Sequence, residues 1–304
     1  MPLSTLFIIF AFIIPELLGV TDKTYGARSA NKGEFPFAVF IYGNLFCGGS
    51  LMTMSKVLSA AHCFFLWDRN DRKVYLNIKT AKVIGGTVNY TDRSDGYQER
   101  TIKQYSLHRG FQRRQDGSFF HDIATAELSE PFVPSSTLQP MKIVSRNKEE
   151  FKKAWEQFVV SGKPCMAMGW GVTDYPNTKG EVPSTVLMVI EVKPWEERRC
   201  RETAWKAEDL VTKFGEICAS SGKQGEAFCD GDSGSPLVCE GYVYALATAN
   251  WDCIDITLPQ YFLLYWFYLD YFDFNERSYA LYGRTGVEFS VIVLSLLLVL
   301  NNYV

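Results

Sequence analysis

Residues 229–239 read Cys229-Asp230-Gly231-Asp232-Ser233-Gly234-Ser235-Pro236-Leu237-Val238-Cys239. Taken alone, Gly-Asp-Ser-Gly is turn chemistry. A serine hydroxyl is a poor nucleophile at neutral pH unless a neighbouring base takes its proton. The glycines leave room for backbone N–H groups to face a developing oxyanion. Two stretches upstream hold the missing partners. Leu58-Ser59-Ala60-Ala61-His62-Cys63 offers an imidazole beside a cysteine, and His121-Asp122-Ile123-Ala124 offers a carboxylate. Imidazole can accept the serine proton, and a buried carboxylate can hold its tautomer and stabilise the imidazolium. The chain order His62, Asp122, Ser233 is one of the known arrangements of such a triad. Each piece is weak in isolation; the three in order, flanked by cysteines, are not.

The rest of the chain agrees with an exported globular protein. It has 304 residues, 47% of them hydrophobic and 21% charged, with 22 Phe, 16 Tyr and 7 Trp. This rules out a disordered, collagen-like or coiled-coil chain and leaves enough apolar surface for a sizeable core. A net charge of −3 gives no basic excess for nucleic acid. Histidine occurs only at 62, 108 and 121, so a histidine base must be one of these.

Met1–Gly19 has an uninterrupted apolar run from Leu6 to Ile14, the length of a signal-peptide core and too short to span a bilayer. At the other end Phe289–Leu300 is apolar and also too short to span. With the small residues Ser278, Ala280, Gly283 and Gly286 before it, this tail has the length of a lipid-anchor signal; the plain alternative is an apolar tail of no consequence. The expected organisation is a signal peptide at 1–19, a short pro-segment at 20–23, one domain at 24–274 and a tail at 275–304.

Between the ends, GTVNYT (Gly86–Thr91), STVLMVIEV (Ser184–Val192) and YVYALATA (Tyr242–Ala249) are rich in Val, Thr and Tyr and bounded by Gly or Pro, as short strands are. Glu149–Val160 and Pro194–Leu210 carry helical periodicity. Tyr261–Phe274 is too continuously aromatic for its period to decide between strand and helix. Asn89-Tyr90-Thr91 is a glycosylation sequon in an exported chain.

The motifs resemble the chymotrypsin-like, trypsin-fold serine proteases. The resemblance runs from about Tyr25 to Phe272 and is carried by GEFPF (33–37), FCGGSL (46–51), LSAAHC (58–63), HDIATAEL (121–128), CMAMGWG (165–171), CDGDSGSPLVC (229–239) and, more weakly, YFLLYWFYLDYF. It implies an all-β fold of two six-stranded Greek-key barrels with the active site between them, and short helices including one near the C-terminus. It implies His62 as general base, Asp122 as its orienter, Ser233 as nucleophile, and the N–H groups of Gly231 and Ser233 as the oxyanion hole. It also implies the pairs Cys47–Cys63, Cys165–Cys239, Cys200–Cys218 and Cys229–Cys253, which spacing alone leaves open among 105 pairings. No cofactor is implied. A metal site is disfavoured because scattered cysteines with one neighbouring imidazole lack the paired spacing zinc uses.

By the same resemblance, cleavage after Lys23 frees the α-ammonium of Thr24, which turns inward to pair with Asp232. Thr24 is smaller and more polar than the family's usual isoleucine. The implied specificity pocket has Ala227 at its floor, with Phe228, Thr248, Ala249, Asn250 and Gln260 around it. An uncharged floor cannot offset burial of a cation, so the expected preference is for small uncharged residues before the scissile bond. The expected partners are protein or peptide substrates and an activating protease, with no nucleic acid, and the tail offers a membrane attachment. The competing reading is a weakly active or inactive homologue that works by binding.

Overall fold

The computed structural model describes residues 27–274 except 44, 68–69, 71, 95, 115–116, 174–181, 204–213, 224–225, 250–252, 254–257 and 273. The leader, Lys23, Thr24, Asn250 and the tail after 274 therefore lie outside the described residues.

Two closed antiparallel barrels of six strands make up the domain. The first contains β1 (Ala38–Tyr42), β2 (Phe46–Thr53), β3 (Lys56–Ser59), β4 (Lys82–Gly85), β5 (Gln98–Leu107) and β6 (Ala124–Leu128). Its order is β6-β3-β2-β1-β4-β5, and β5 pairs with β6 to close the ring. The alternation that sheets require is plain in β6, where Ala124, Ala126 and Leu128 are buried and Thr125 and Glu127 are partly exposed. Phe40, Leu51, Leu58 and Ile123 fill the interior.

The second barrel contains β7 (Cys165–Gly169), β8 (Met188–Pro194), β9 (Glu216–Ser220), β10 (Pro236–Cys239), β11 (Tyr242–Ala249) and β12 (Gln260–Leu264). The order β8-β7-β10-β11-β12-β9 closes through β8–β9 pairing. A two-residue strand, Arg28–Ser29, adds to the outside of β8. Closure leaves neither barrel a long bare edge.

Helix α1 (Lys148–Ser161) starts where Asn147 accepts hydrogen bonds from the N–H groups of Glu149 and Glu150, and stops at left-handed Gly162. It buries Phe151, Trp155 and Phe158, one face at helical spacing, around Tyr244 of the second barrel. Helix α2 (Glu197–Thr203) is shorter at its start than the periodicity suggests, because Pro194 still belongs to β8.

Two readings needed the structure. The GTVNYT stretch is not a strand: β4 ends at Gly85, and only Asn89 makes an isolated bridge, to Val186. Gly86 turns the chain away at φ +80, where a Cβ would lie 2.0 Å from Gly96 O. Asn89 Oδ1 then accepts from Thr91 N at 3.0 Å and Thr91 Oγ1 at 2.8 Å, which favours a turn over a ladder. The aromatic stretch after 260 divides: Gln260–Leu264 is strand β12, and Tyr265–Tyr268 is a 3-10 turn, the short helical element near the domain's end.

Four disulfides are present, Cys47–Cys63, Cys165–Cys239, Cys200–Cys218 and Cys229–Cys253. These are the pairings the resemblance implies. Among the described residues no helix is long and apolar enough to cross a membrane.

Candidate active site

Strand β3 ends at Ser59, and a 3-10 turn, Ala61–Phe64, carries His62 out of the first barrel. The Cys47–Cys63 bridge ties that turn back to β2. Asp122 lies two residues before β6 and is 3% exposed. It accepts two hydrogen bonds from His62: the backbone N–H reaches Oδ1 at 2.9 Å and ring Nδ1 reaches Oδ2 at 2.6 Å. The double contact fixes both the position and the rotation of the imidazole. With Nδ1 donating, Nε2 is left as the acceptor on the opposite side of the ring. Burial works to lower the His62 pKa, but the charge of Asp122 and its hydrogen bond outweigh this, and the net direction is upward.

Ser233 stands in the loop before β10, and this loop is bonded to both barrels. Gly48 N of β2 donates to Ser233 O at 2.8 Å, and Gly234 N donates to Ala247 O of β11 at 2.7 Å. Gly234 sits at φ +81, where a Cβ would be 2.1 Å from Ser59 Oγ and 2.5 Å from Gly48 O, so no larger residue fits. Gly231 has φ +100. Among the described residues the N–H groups of Gly231 and Ser233 have no protein acceptor, which leaves two neighbouring donors for an anion.

His62, Asp122 and Ser233 line one cleft of about 340 Å³. No hydrogen bond joins Ser233 to the His62 ring among the described residues, as is common before substrate tightens such a contact. The Phe119 ring lies parallel to His62, with centroids 5.6 Å apart. The other two histidines stay out of the cleft. The His108 and His121 rings lie 4.7 Å apart, tilted by 32°, and His121 Nδ1 meets Tyr268 Oη at 3.0 Å. Since the Tyr268 hydroxyl is donated to Phe214 O at 2.7 Å, His121 is the donor in that pair. Burial holds both rings below the usual imidazole range.

Of the implied pocket residues, Phe228, Thr248, Ala249 and Gln260 line the cleft, together with Asp230 and Tyr261. Ala227 does not. It lines a separate hollow of about 20 Å³ shared with Asp232, Gly171 and Phe228, and Phe228, packed edge-on against Phe262, borders both hollow and cleft. Gln260 is buried and its Oε1 has no partner among the described residues. Asp232 is buried too: Oδ1 accepts from Gly171 N at 2.7 Å and Oδ2 from Cys229 N at 2.9 Å. Burial nevertheless pushes its pKa up to about 7, against the pull of those two N–H groups.

Cys47, His62 and Cys63 have potential ligand atoms within 4.8 Å of one another. Both sulfurs are in a disulfide and His62 Nδ1 is committed to Asp122, so the group lacks the thiolates a metal would need. Sequence reasoning missed several cleft residues, Phe119 and Glu216 among them. Phe119 could have been flagged by its place three residues before Asp122, and Glu216 by being a carboxylate at the start of the apolar strand Glu216–Ser220.

Comparison with known proteins matches the geometry. The family model described as Trypsin matches residues 24–270. Submandibular glandular kallikrein-9 of Rattus norvegicus is 26% identical over 237 residues, covering 75% of this chain and 80% of its own. Snake venom serine protease salmonase of Gloydius brevicauda is 26% identical over 268 residues, covering 88% and 90%. Beta-fibrinogenase brevinase of Gloydius blomhoffii is 27% identical over 265 residues, covering 86% and 98%. With two closed barrels, a histidine held by a buried aspartate and a serine facing the same cleft, the chain belongs to the trypsin family of serine proteases.

Proposed function

We propose that the chain is a secreted serine endopeptidase. The observation that carries this is the 2.6 Å bond from His62 Nδ1 to Asp122 Oδ2, in a cleft shared with Ser233. His62 Nε2 takes the Ser233 proton as Oγ attacks the scissile carbonyl carbon. The carbonyl oxygen becomes an oxyanion and accepts from Gly231 N–H and Ser233 N–H. Asp122 stabilises the imidazolium, which then gives its proton to the departing amine as the C–N bond breaks. Water repeats the sequence on the acyl-enzyme and returns Ser233 to its hydroxyl form.

Activation follows cleavage after Lys23, when the α-ammonium of Thr24 becomes the countercharge for Asp232. The leader at 1–19 and the four disulfides support export into an oxidising compartment. Asn89 carries glycan there. Phe228, Thr248, Ala249 and Gln260 are themselves uncharged and surround the substrate side chain, so small uncharged residues are preferred before the cleaved bond and arginyl or lysyl bonds are cut poorly. A second protease is then needed for activation.

The test is labelling of the processed protein with a fluorophosphonate, followed by cleavage of a peptide library. Labelling that disappears in Ser233→Ala supports the reading. A properly folded, processed protein that takes no label overturns it in favour of an inactive homologue. Efficient turnover of an arginyl reporter overturns the specificity.

A further inference from the structure

Beside the triad, the cleft is bordered by an ion pair that the chemistry above does not use. Between β5 and β6 the first barrel extends a small hairpin, Gln112–Arg113 paired with Phe119–Phe120. Arg114 opens its turn, donating N–H to Ser118 O at 2.7 Å and accepting from Gly117 N at 3.1 Å. The Arg114 guanidinium reaches across to Glu216, the first residue of β9 in the second barrel, with Nη2 at 2.6 Å from Oε1 and Nη1 at 3.5 Å from Oε2. The two side chains are only 6% and 9% exposed. Arg114 also lies 4.0 Å over the Phe120 ring.

Such a pair is a poor source of stability, because desolvating both charges offsets most of their attraction. Here the balance is worse, since Arg114 Nε is buried with no partner among the described residues. What a forked guanidinium–carboxylate contact does supply is direction. Glu216 and three hairpin residues, Gly117, Ser118 and Phe119, all line the cleft with His62 and Ser233. The same hairpin places Phe119 flat against the catalytic imidazole.

We propose that Arg114 and Glu216 are positioning residues for the substrate: they lock the paired strands Gln112–Arg113 and Phe119–Phe120 to the second barrel and so hold the Phe119 wall in place for a peptide long enough to lie along the cleft. This rests on the protease reading. His62 keeps its own orientation from Asp122, so a small reagent that meets only Ser233 does not need the wall. An extended peptide does.

The experiment uses the processed full-length protein with Arg114→Ala, Glu216→Ala, the double alanine variant, and Arg114→Met with Glu216→Leu. The last leaves no charge buried alone and keeps the test valid if a single alanine variant fails to fold. The readouts are kcat and KM on an extended peptide chosen from the library and the rate of fluorophosphonate labelling. Each variant should lose about ten- to hundredfold in kcat/KM on the peptide, mainly through KM, while labelling stays within about threefold. The double alanine variant should lose no more than either single one, since the pair acts as a unit. Labelling that falls in step with peptide turnover, additive losses, or full peptide turnover in the Met/Leu variant overturns the proposal. Absence of labelling in the unsubstituted protein overturns the protease reading instead.

Discussion

Replacing Asp232 with asparagine should stabilise one form of the protein and destabilise the other. In the intact chain the carboxyl is buried, with two backbone N–H groups as its only described hydrogen-bond donors, and its pKa lies at about 7 against 3.8 for an unperturbed aspartate. The fold therefore holds the proton more tightly than the open chain. Stability from this group is fully present below the unfolded value of 3.8, falls as pH rises through the window, and is gone above about 7. The separation between those two values corresponds to ~4 kcal/mol. Asp232→Asn mimics the neutral form and does not titrate. In a Ser233→Ala background that retains residues 20–23, urea unfolding at pH 4 and pH 8 should show the asparagine variant gaining ~4 kcal/mol over the parent between the two pH values. In a chain beginning at Thr24, the α-ammonium turns the same carboxylate into half of a buried pair. There Asp232→Asn should cost ~3–5 kcal/mol, because it leaves a buried cation alone. The same sign in both forms at pH 7 would refute the pairing. A pH-independent difference in the longer form would refute the burial argument.

Three further outcomes follow from the geometry. Because His62 must be neutral to act as base and its pKa is raised, the acid limb of the kcat/KM profile should lie above pH 6.5, and Asp122→Asn should move it down while slowing turnover sharply. Gly234→Ala should cost more than ~2 kcal/mol in urea unfolding and abolish labelling of Ser233, since its Cβ meets Ser59 Oγ and Gly48 O at a positive φ. Replacing Cys47 and Cys63 together by alanine should cost ~2–5 kcal/mol in the same assay and lower turnover beyond what unfolding explains, because Cys63 adjoins His62.

How much of this was legible in the chain depends on how local each signal is. His62, Asp122 and Ser233 stand in short motifs whose neighbours are themselves informative, and helix α1 is written at i, i+4 and i+7 by Phe151, Trp155 and Phe158. GTVNYT misled because β-branched composition says nothing about Gly86, whose positive φ ends the ladder. Ala227 was placed by counting back from Ser233, and counting does not reveal that it lines a hollow separate from the one that holds His62 and Ser233. The Arg114–Glu216 pair joins residues 102 apart on different barrels, and no periodicity or motif marks it. Tyr261–Phe274 was undecidable because its aromatics run without a break, so neither a strand period nor a helical one stands out, although the turn buries only Tyr265 and Tyr268 of its four residues.

The bond from Gly48 N to Ser233 O, with the close approach of Gly234 to Ser59, makes the nucleophile loop common property of the two barrels. Neither half of the molecule can hold Ser233 in this position by itself. A chain whose second barrel is incomplete, or whose barrels have come apart, lacks the bond from Gly48 N that seats Ser233. The seat of Ser233 is thus a property of the docked barrels, and anything that separates them removes both the bond to Gly48 and the contact with Ser59.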